Sequence, residues 1–290
     1  MSTRLKNART HIIDQFEAAD KRVYLTTELR DLMTANWVEW DLPKWLAMGQ
    51  VREFLLSKTP LRKVTLRCQS YRAVTRYVWG KASVYEVAAS LRRAAYLSHG
   101  TAMALHGLTD RIQKTVYVNH EQSPKPPPSG GLTQDRIDRA FGRPQRMSKY
   151  EFRLARHRIR LLNGKNTKRL GVETLKGPEG EDLSVTNVER TLIDIVVRPA
   201  YAGGIRQVLE AFETARERVS GESLLTTLEG MGYIYPYHQP IGFLMERAGY
   251  DEQLCAQLRD RGAEFDFYLV HGMKKRRYDK IWRLYYPERF

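Results

Sequence analysis

Three amphipathic runs followed by two alternating, basic runs occupy the first 90 residues, and that order restricts the fold more than any other feature of the chain. Leu5, Ala8, Ile12, Ile13, Phe16 and Ala19 recur at three- and four-residue intervals, so 5–19 reads as a helix. Thr26 is placed to cap ELRDLMTA, a second, shorter helix with Leu29, Leu32 and Met33 in one stripe. After a turn at Asp41-Leu42-Pro43, WLAMGQVREFLLSK predicts a third helix with Ala47, Val51, Phe54 and Leu55 inward; the proline suits a helix start. Residues 63–68 then alternate Lys, Thr, Arg with Val, Leu, Cys, and 73–79 are rich in Val, Thr, Tyr and Trp. Gln69-Ser70-Tyr71-Arg72 joins these two strands. Three helices and a basic hairpin is the order of a winged helix-turn-helix. A plain α+β domain with solvated Lys and Arg is the competing reading, but solvated faces mix signs and this hairpin does not.

The charge is unevenly placed. The 290 residues carry a formal +15. Residues 51–93 hold ten Lys/Arg against two acids, and 133–169 hold twelve against three. Residues 181–266 reverse this with eight against fifteen, and the last stretch, 267–290, returns to seven against two. Such asymmetry is the electrostatic footprint of a nucleic-acid binder with a differently charged face for another task. In this reading the third helix enters the major groove with Lys44, Met48, Gln50 and Arg52 on or near its outer side. Arg52 and Gln50 are the better candidates for base readout, because both can contact base edges bidentately. Lys63, Arg67, Arg72 and Arg76 would hold phosphates or reach the minor groove. Arg153, Arg156, Arg158 and Arg160, crowded beside the lone Glu151, are candidates for a further DNA contact. Aromatics interleaved with base-rich sequence (Tyr71-Arg72, Arg76-Tyr77, Trp79) keep an RNA-binding reading open, although half-buried sheet aromatics also explain them.

Beyond the hairpin, 83–91 reads as a helix, after which short strands and helices alternate through AAYLS, HGTAMALHGL and KTVYVNHE. A Pro-rich stretch at 123–131 can be neither helix nor central strand and reads as an exposed loop. RLARHRIRLL does not fit one helical face and suits a strand. From Ser184 onward VTNVERTLIDIVV, IRQVLEAFETARERV, GESLLTTLEGMG and QPIGFLMERAGY are helical, with Ser184 or Thr186 as cap and Glu189 offset from Thr186 as in a capping box.

Enzyme chemistry finds little support. The seven histidines include no HExxH and no pair at ligand spacing on one helix; His99 and His106 lack neighbouring carboxylates or cysteines. There is no P-loop and no GxGxxG, and no Asp-x-Asp of the kind nucleotidyl transfer uses. Glu264 and Asp266 share a face of a possible strand, EFDFYL, followed by Lys274-Lys275-Arg276-Arg277; they are the pair on which a metal-dependent nuclease would be built. No other metal or cofactor is expected. Cys68 and Cys255 are too far apart in sequence for a metal spacing and read as ordinary core thiols. With 42 % hydrophobic and 28 % charged residues, no apolar run of membrane length and no secretory leader, the expectation is a folded, cytoplasmic protein without a membrane partner.

Four segments carry a family likeness. YLSHGTAMALHGLTDRIQKTVYVNHEQ (96–122), LTQDRIDRAFGRPQRMS (132–148), VTNVERTLIDIVVRPAYAGGIRQVLEAF (185–212) and HQPIGFLMERAGY (238–250) resemble, in order, the AbiEi antitoxins of bacterial type IV abortive-infection toxin-antitoxin systems. The resemblance implies an N-terminal winged helix that represses its own operon through double-stranded promoter DNA. It also implies an antitoxin domain opposing a cognate toxin of nucleotidyltransferase type, without a stable complex being required. The expected fold is therefore α+β: a winged helix-turn-helix over 1–92, then a mixed α/β antitoxin domain with a helical C-terminal part over 93–290. The expected role is binding and repression rather than catalysis.

Overall fold

The computed structural model describes residues 3–126 and 130–290; Pro127, Pro128 and Ser129 of the Pro-rich stretch lie outside the described residues. The architecture is α+β, and one large mixed sheet organises most of it. Helices α1 (Thr3–Asn7) and α2 (Arg9–Ala18) share the stripe predicted for a single helix, with Leu5, Ala8, Ile12 and Phe16 buried and only a turn at Ala8 between them. A two-residue strand, β1 (Val23–Tyr24), precedes α3 (Thr26–Ala35). Helix α4 (Met48–Lys58) leads into the hairpin β2 (Leu61–Cys68) and β3 (Val74–Trp79), and β1 pairs antiparallel with β3 through Val23 and Val78.

The segment between α3 and α4 is anchored rather than loose. Trp40, Leu42 and Leu46 are buried in the core formed by the first three helices, and Trp40 Nε1 donates to Gln15 Oε1 at 2.7 Å. At the centre of that core Phe16 stacks on Trp79 with ring centroids 4.2 Å apart. Burying indole rings this way contributes a large share of the apolar area of a small helical layer.

After α5 (Val84–Ala89) the chain adds β4 (Tyr96–Leu97), α6 (His99–Leu105), β5 (Thr115–Glu121), α7 (Gln134–Phe141), β6 (Glu151–Leu154), β7 (His157–Gly164), β8 (Val172–Lys176) and β9 (Asp182–Thr186). The strand order is β1-β3-β2-β6-β7-β5-β4-β9-β8, so one sheet runs from the hairpin into the second half through the β2–β6 pairing. A core that mixes Leu66, Val78, Val87 and Leu91 with Phe152, Ile159, Leu161 and Val185 covers one face of that junction.

Five helices follow: α8 (Val188–Val197), α9 (Ile205–Ala215), α10 (Gly221–Met231), α11 (His238–Arg247) and α12 (Glu252–Arg259). Helix α8 is capped by Asn187, whose side chain accepts from the Arg190 amide, and not by Ser184 or Thr186; both of those lie in β9. Helix α10 ends at Gly232, which takes the left-handed conformation that an L side chain adopts only with strain. A small sheet of β10 (Phe267–Tyr268), β11 (Arg276–Asp279) and β12 (Leu284–Pro287) in the order β10-β12-β11 closes the helical core, with Trp282 packed directly over Gly242 of α11. No helix among the described residues is long and apolar enough to cross a membrane.

Candidate nucleic-acid interface

Strand period decides which basic side chains of the hairpin face out. Leu61, Lys63, Thr65 and Arg67 alternate along β2 and so share one face. Leu61 packs with Val51, Phe54 and Leu55 of α4, so α4 lies on the face from which Lys63 and Arg67 project beyond the helices, both exposed. Arg67 stands directly opposite Arg153 of β6, and Arg153 directly opposite Arg158 of β7. Opposed residues of neighbouring strands point to the same side, so three exposed arginines from the two basic zones form one row about 10 Å long. Like charges directly opposite one another destabilise a sheet. Among the described residues none of the three is in an ion pair.

The other residues singled out from the sequence divide. Arg156 is exposed at the turn joining β6 and β7, next to the end of the row, and its Nε is 3.5 Å from His157 Nε2. Arg160 faces the same side but pairs with Glu151, its cross-strand partner, and is largely covered; it is neutralised in place and does not extend the row. Arg76 departs furthest from expectation. It lies opposite Val64 on the face packed against the second half and is 6 % exposed. Its Nε and Nη2 donate to the Ser90 carbonyl at 3.2 and 2.6 Å, and Nη1 donates to the Thr75 carbonyl at 2.8 Å. Arg76 thus ties the hairpin to the end of α5 and cannot reach a phosphate on the outer face. Arg72, at the hairpin tip, is exposed.

Helix α4 begins at Met48, three residues later than the periodicity placed it, because Pro43 opens a tight turn closed by the Leu46 amide donating to the Pro43 carbonyl. Lys44 is therefore an exposed turn residue beside exposed Trp45, not a helix residue. Gln50 is exposed, but its Oε1 accepts from the Ala47 amide at 3.2 Å, which turns the side chain back onto the helix start and leaves only its NH2 group outward. Arg52 is exposed and borders a groove of about 110 Å³ between α3 and α4, with Thr26, Thr27, Arg30 and Met48 on its other walls. Arg52 is the α4 side chain best placed to reach out from this surface. Tyr77 and Trp79 belong to the helical core, which removes them as base-stacking platforms; Tyr71 alone of the hairpin aromatics remains half exposed.

Glu264 and Asp266 do not converge on one site. Glu264 is exposed, whereas Asp266 Oδ1 accepts from Arg283 Nε at 2.9 Å and from the Tyr278 hydroxyl at 2.8 Å. Desolvation, the largest single influence, raises its carboxyl, but the Tyr278 and Arg283 donors together outweigh it and hold the group below its ordinary value. Only 267–268 of the expected strand form one, β10. Among the described residues no group of three or more His, Cys, Asp or Glu is arranged to hold a metal ion. His99 is buried and Nδ1 lies 2.9 Å from Ser98 Oγ, while His106 Nε2 lies 2.7 Å from the Thr186 carbonyl, so each is engaged in packing the second half. Cys255 is buried and burial pushes its thiol up to about 11; Cys68 is half-buried opposite Phe152.

One basic residue escaped the sequence reading. Arg92, just past α5, lies against the hairpin tip with its guanidinium carbon 5.6 Å from the Tyr71 ring centroid. Its only signal in sequence was the Arg92-Arg93 doublet at the end of the first basic zone.

The surface is that of an α+β protein with an uncompensated arginine row beside an exposed helix. No protein-family model matches the chain. No curated protein matches it in sequence. Among solved structures, the RV2827C protein from Mycobacterium tuberculosis is similar in fold, with 14 % sequence identity and a TM-score of 0.57 over 97 % of this chain and 91 % of that one.

Proposed function

We propose that this chain binds double-stranded DNA of its own promoter and represses transcription from it, using a winged helix-turn-helix in its first 92 residues. The observation that carries this reading is the Arg67–Arg153–Arg158 row, in which three charges sit in register and unpaired at a cost that bound phosphates would reverse. The order α2, β1, α3, α4, β2, β3, with β1 paired to β3, supports it as well. In this reading α4 presents Arg52 to base edges, Lys63, Arg67 and Arg72 hold the backbone, and Arg153, Arg156 and Arg158 extend the contact from beyond residue 92.

The second role, opposing a nucleotidyltransferase-type toxin from the same operon, rests on the AbiEi-like segments at 96–122, 132–148, 185–212 and 238–250. Those segments supply β4, β5 and the end of β9 together with α6, α7, α8, α9 and α11; the last two segments lie within 181–266, whose negative net charge would repel DNA. The test is a shift and footprinting assay of the full chain on the duplex upstream of its own gene against random duplex, followed by co-expression with the product of the adjacent open reading frame, which this reading expects to be of nucleotidyltransferase type. Equal affinity for both duplexes refutes the repressor reading. Failure to relieve toxicity, with the chain folded and abundant, refutes the antitoxin reading.

A further inference from the structure

Where the hairpin meets the sheet of the second half there is a cavity of about 220 Å³ whose walls include Tyr71, Arg72, Arg76, Arg92, Tyr150 and Phe152. Three guanidinium groups and no carboxylate line it. None of the three is in an ion pair among the described residues. Arg76 is held by the neutral Ser90 and Thr75 carbonyls, so its position is fixed while its charge is not cancelled. Glu28, whose charge acts on it, is itself engaged by Lys21 Nζ at 2.7 Å and by the Leu25 amide at 2.8 Å. Burial lowers the Arg76 pKa, and the neighbouring charge of Arg92 lowers it further.

The same cavity has an aromatic wall. Tyr71 meets Tyr150 edge to face at 5.8 Å and Phe152 at 6.3 Å, and the guanidinium carbons of Arg72 and Arg92 lie 5.9 and 5.6 Å from the Tyr71 ring centroid. Arg92 first, and Arg72 after it, hold the Tyr71 phenol below its ordinary value, which reports a positive local field. Converging arginines suit a phosphate, which they grip through paired N–H groups, and an adjoining π surface suits a planar ring. A plain carboxylate or inorganic anion would use only the first of these features.

We propose that this junction cavity binds a free nucleotide, its phosphate held by Arg72 and Arg92 above Arg76 and its base against Tyr71 and Tyr150. The walls come from the hairpin, from Leu25 ahead of α3, from the segment after α5 and from β6 and β7, so they enclose a small ligand on several sides. Because the hairpin supplies one wall and the second half another, occupancy would set the hairpin relative to the rest of the sheet. The inference does not rest on the duplex-binding reading: the cavity lies on the Val74 and Arg76 face of the hairpin, opposite the face that carries Arg67, and the two readings share only Arg72 at the hairpin tip.

The test is calorimetric titration of the full chain with nucleoside mono- and triphosphates, with adenosine, with inorganic phosphate and with a short single-stranded oligonucleotide. At least one nucleotide is expected to bind saturably at one site per chain, with adenosine and phosphate each weaker. Arg92→Gln should lower that affinity about tenfold or more, the loss expected for a charged hydrogen bond. Tyr150→Leu should weaken it as well, and Arg67→Ala, outside the cavity, should leave it unchanged. Should Arg92→Gln fail to fold, Arg92→Lys keeps the charge and the stem but removes the fork, and the same loss is expected. Absence of saturable binding to any nucleotide in the millimolar range overturns the proposal. So does binding of the oligonucleotide alone, or equal affinity for the wild type and a folded Arg92 variant. Loss of DNA binding by the Arg67 variant with nucleotide affinity intact separates this site from the repressor surface.

Discussion

Neutralising the arginine row is the perturbation that discriminates most sharply between a DNA-binding surface and a solvated one. In a chain carrying Arg67→Gln, Arg153→Gln and Arg158→Gln, three adjacent charges are lost while the β-strand backbone and its pairing are kept. If each holds one phosphate, the slope of log affinity against log salt falls in magnitude by about 2.7, three contacts at about 0.9 each. Between 50 and 200 mM salt, about 0.6 log units, the wild type should therefore lose about 40-fold more affinity than the variant. Stability should move the other way. Two directly opposed like-charge pairs, Arg67 with Arg153 and Arg153 with Arg158, each cost about 0.2–1 kcal/mol, so the variant should unfold at equal or slightly higher urea. Fluorescence anisotropy on a labelled duplex over a salt series, with urea unfolding of the same samples, measures both quantities. An unchanged salt slope in a folded variant refutes the assignment, because charges that bind no phosphate release no counterions. Arg160→Gln is the internal control. Its charge is already met by Glu151, so the slope should stay within error.

Four further outcomes follow from the geometry. Arg76→Ala should destabilise the fold by about 1–3 kcal/mol in urea, since the half-buried Ser90 and Thr75 carbonyls lose the donor supplied by a buried side chain; the salt slope should be unaffected. Arg52→Ala should cost about 1–3 kcal/mol on the specific duplex and little on random DNA, as measured by competition anisotropy. Gly242→Ala should lower stability by about 1–3 kcal/mol, because the added Cβ would lie 2.0 Å from the Trp282 ring, whose Nε1 is tethered to Glu246; calorimetry checks it. His99 supplies a pH dependence. Burial depresses it from 6.5 to about 4 despite the opposing charge of Asp194 and with Arg198 and Arg190 adding to the depression, so it is neutral in the folded state at pH 7. Between those two values the unfolded chain binds the proton and the folded chain does not, so stability present above pH 6.5 is lost as pH falls toward 4, by up to about 3 kcal/mol. His99 has φ +51°, which Asn tolerates, so His99→Asn should flatten this part of the stability profile, and an unchanged profile refutes the assignment.

The amino-acid sequence determined the local elements and the division of charge. Ile12, Phe16, Leu29, Met33, Val51 and Phe54 all turned inward as their helical spacing required, and alternation of side chains made β2 and β3 legible as a hairpin. These features are local: they depend on 3.6- and 2-residue periods that any ten residues display. Where α4 starts was not legible, because Pro43 serves a helix start and a preceding turn equally well until Leu46 is seen to be buried. Which residue caps α8 was settled likewise only by β9 extending through Thr186 and leaving Asn187 at the boundary. The two basic zones were visible as separate stretches, but that β2 pairs with β6 depends on strands far apart in the chain, and no local pattern encodes it. That pairing places Arg67 beside Arg153 and Arg158, hands Arg160 to Glu151, and turns Arg76 into the junction. Tertiary structure alone decided which arginines are free, because cross-strand register is fixed by burying Leu66, Phe152 and Ile159 together, and the charged side chains follow wherever that burial puts them.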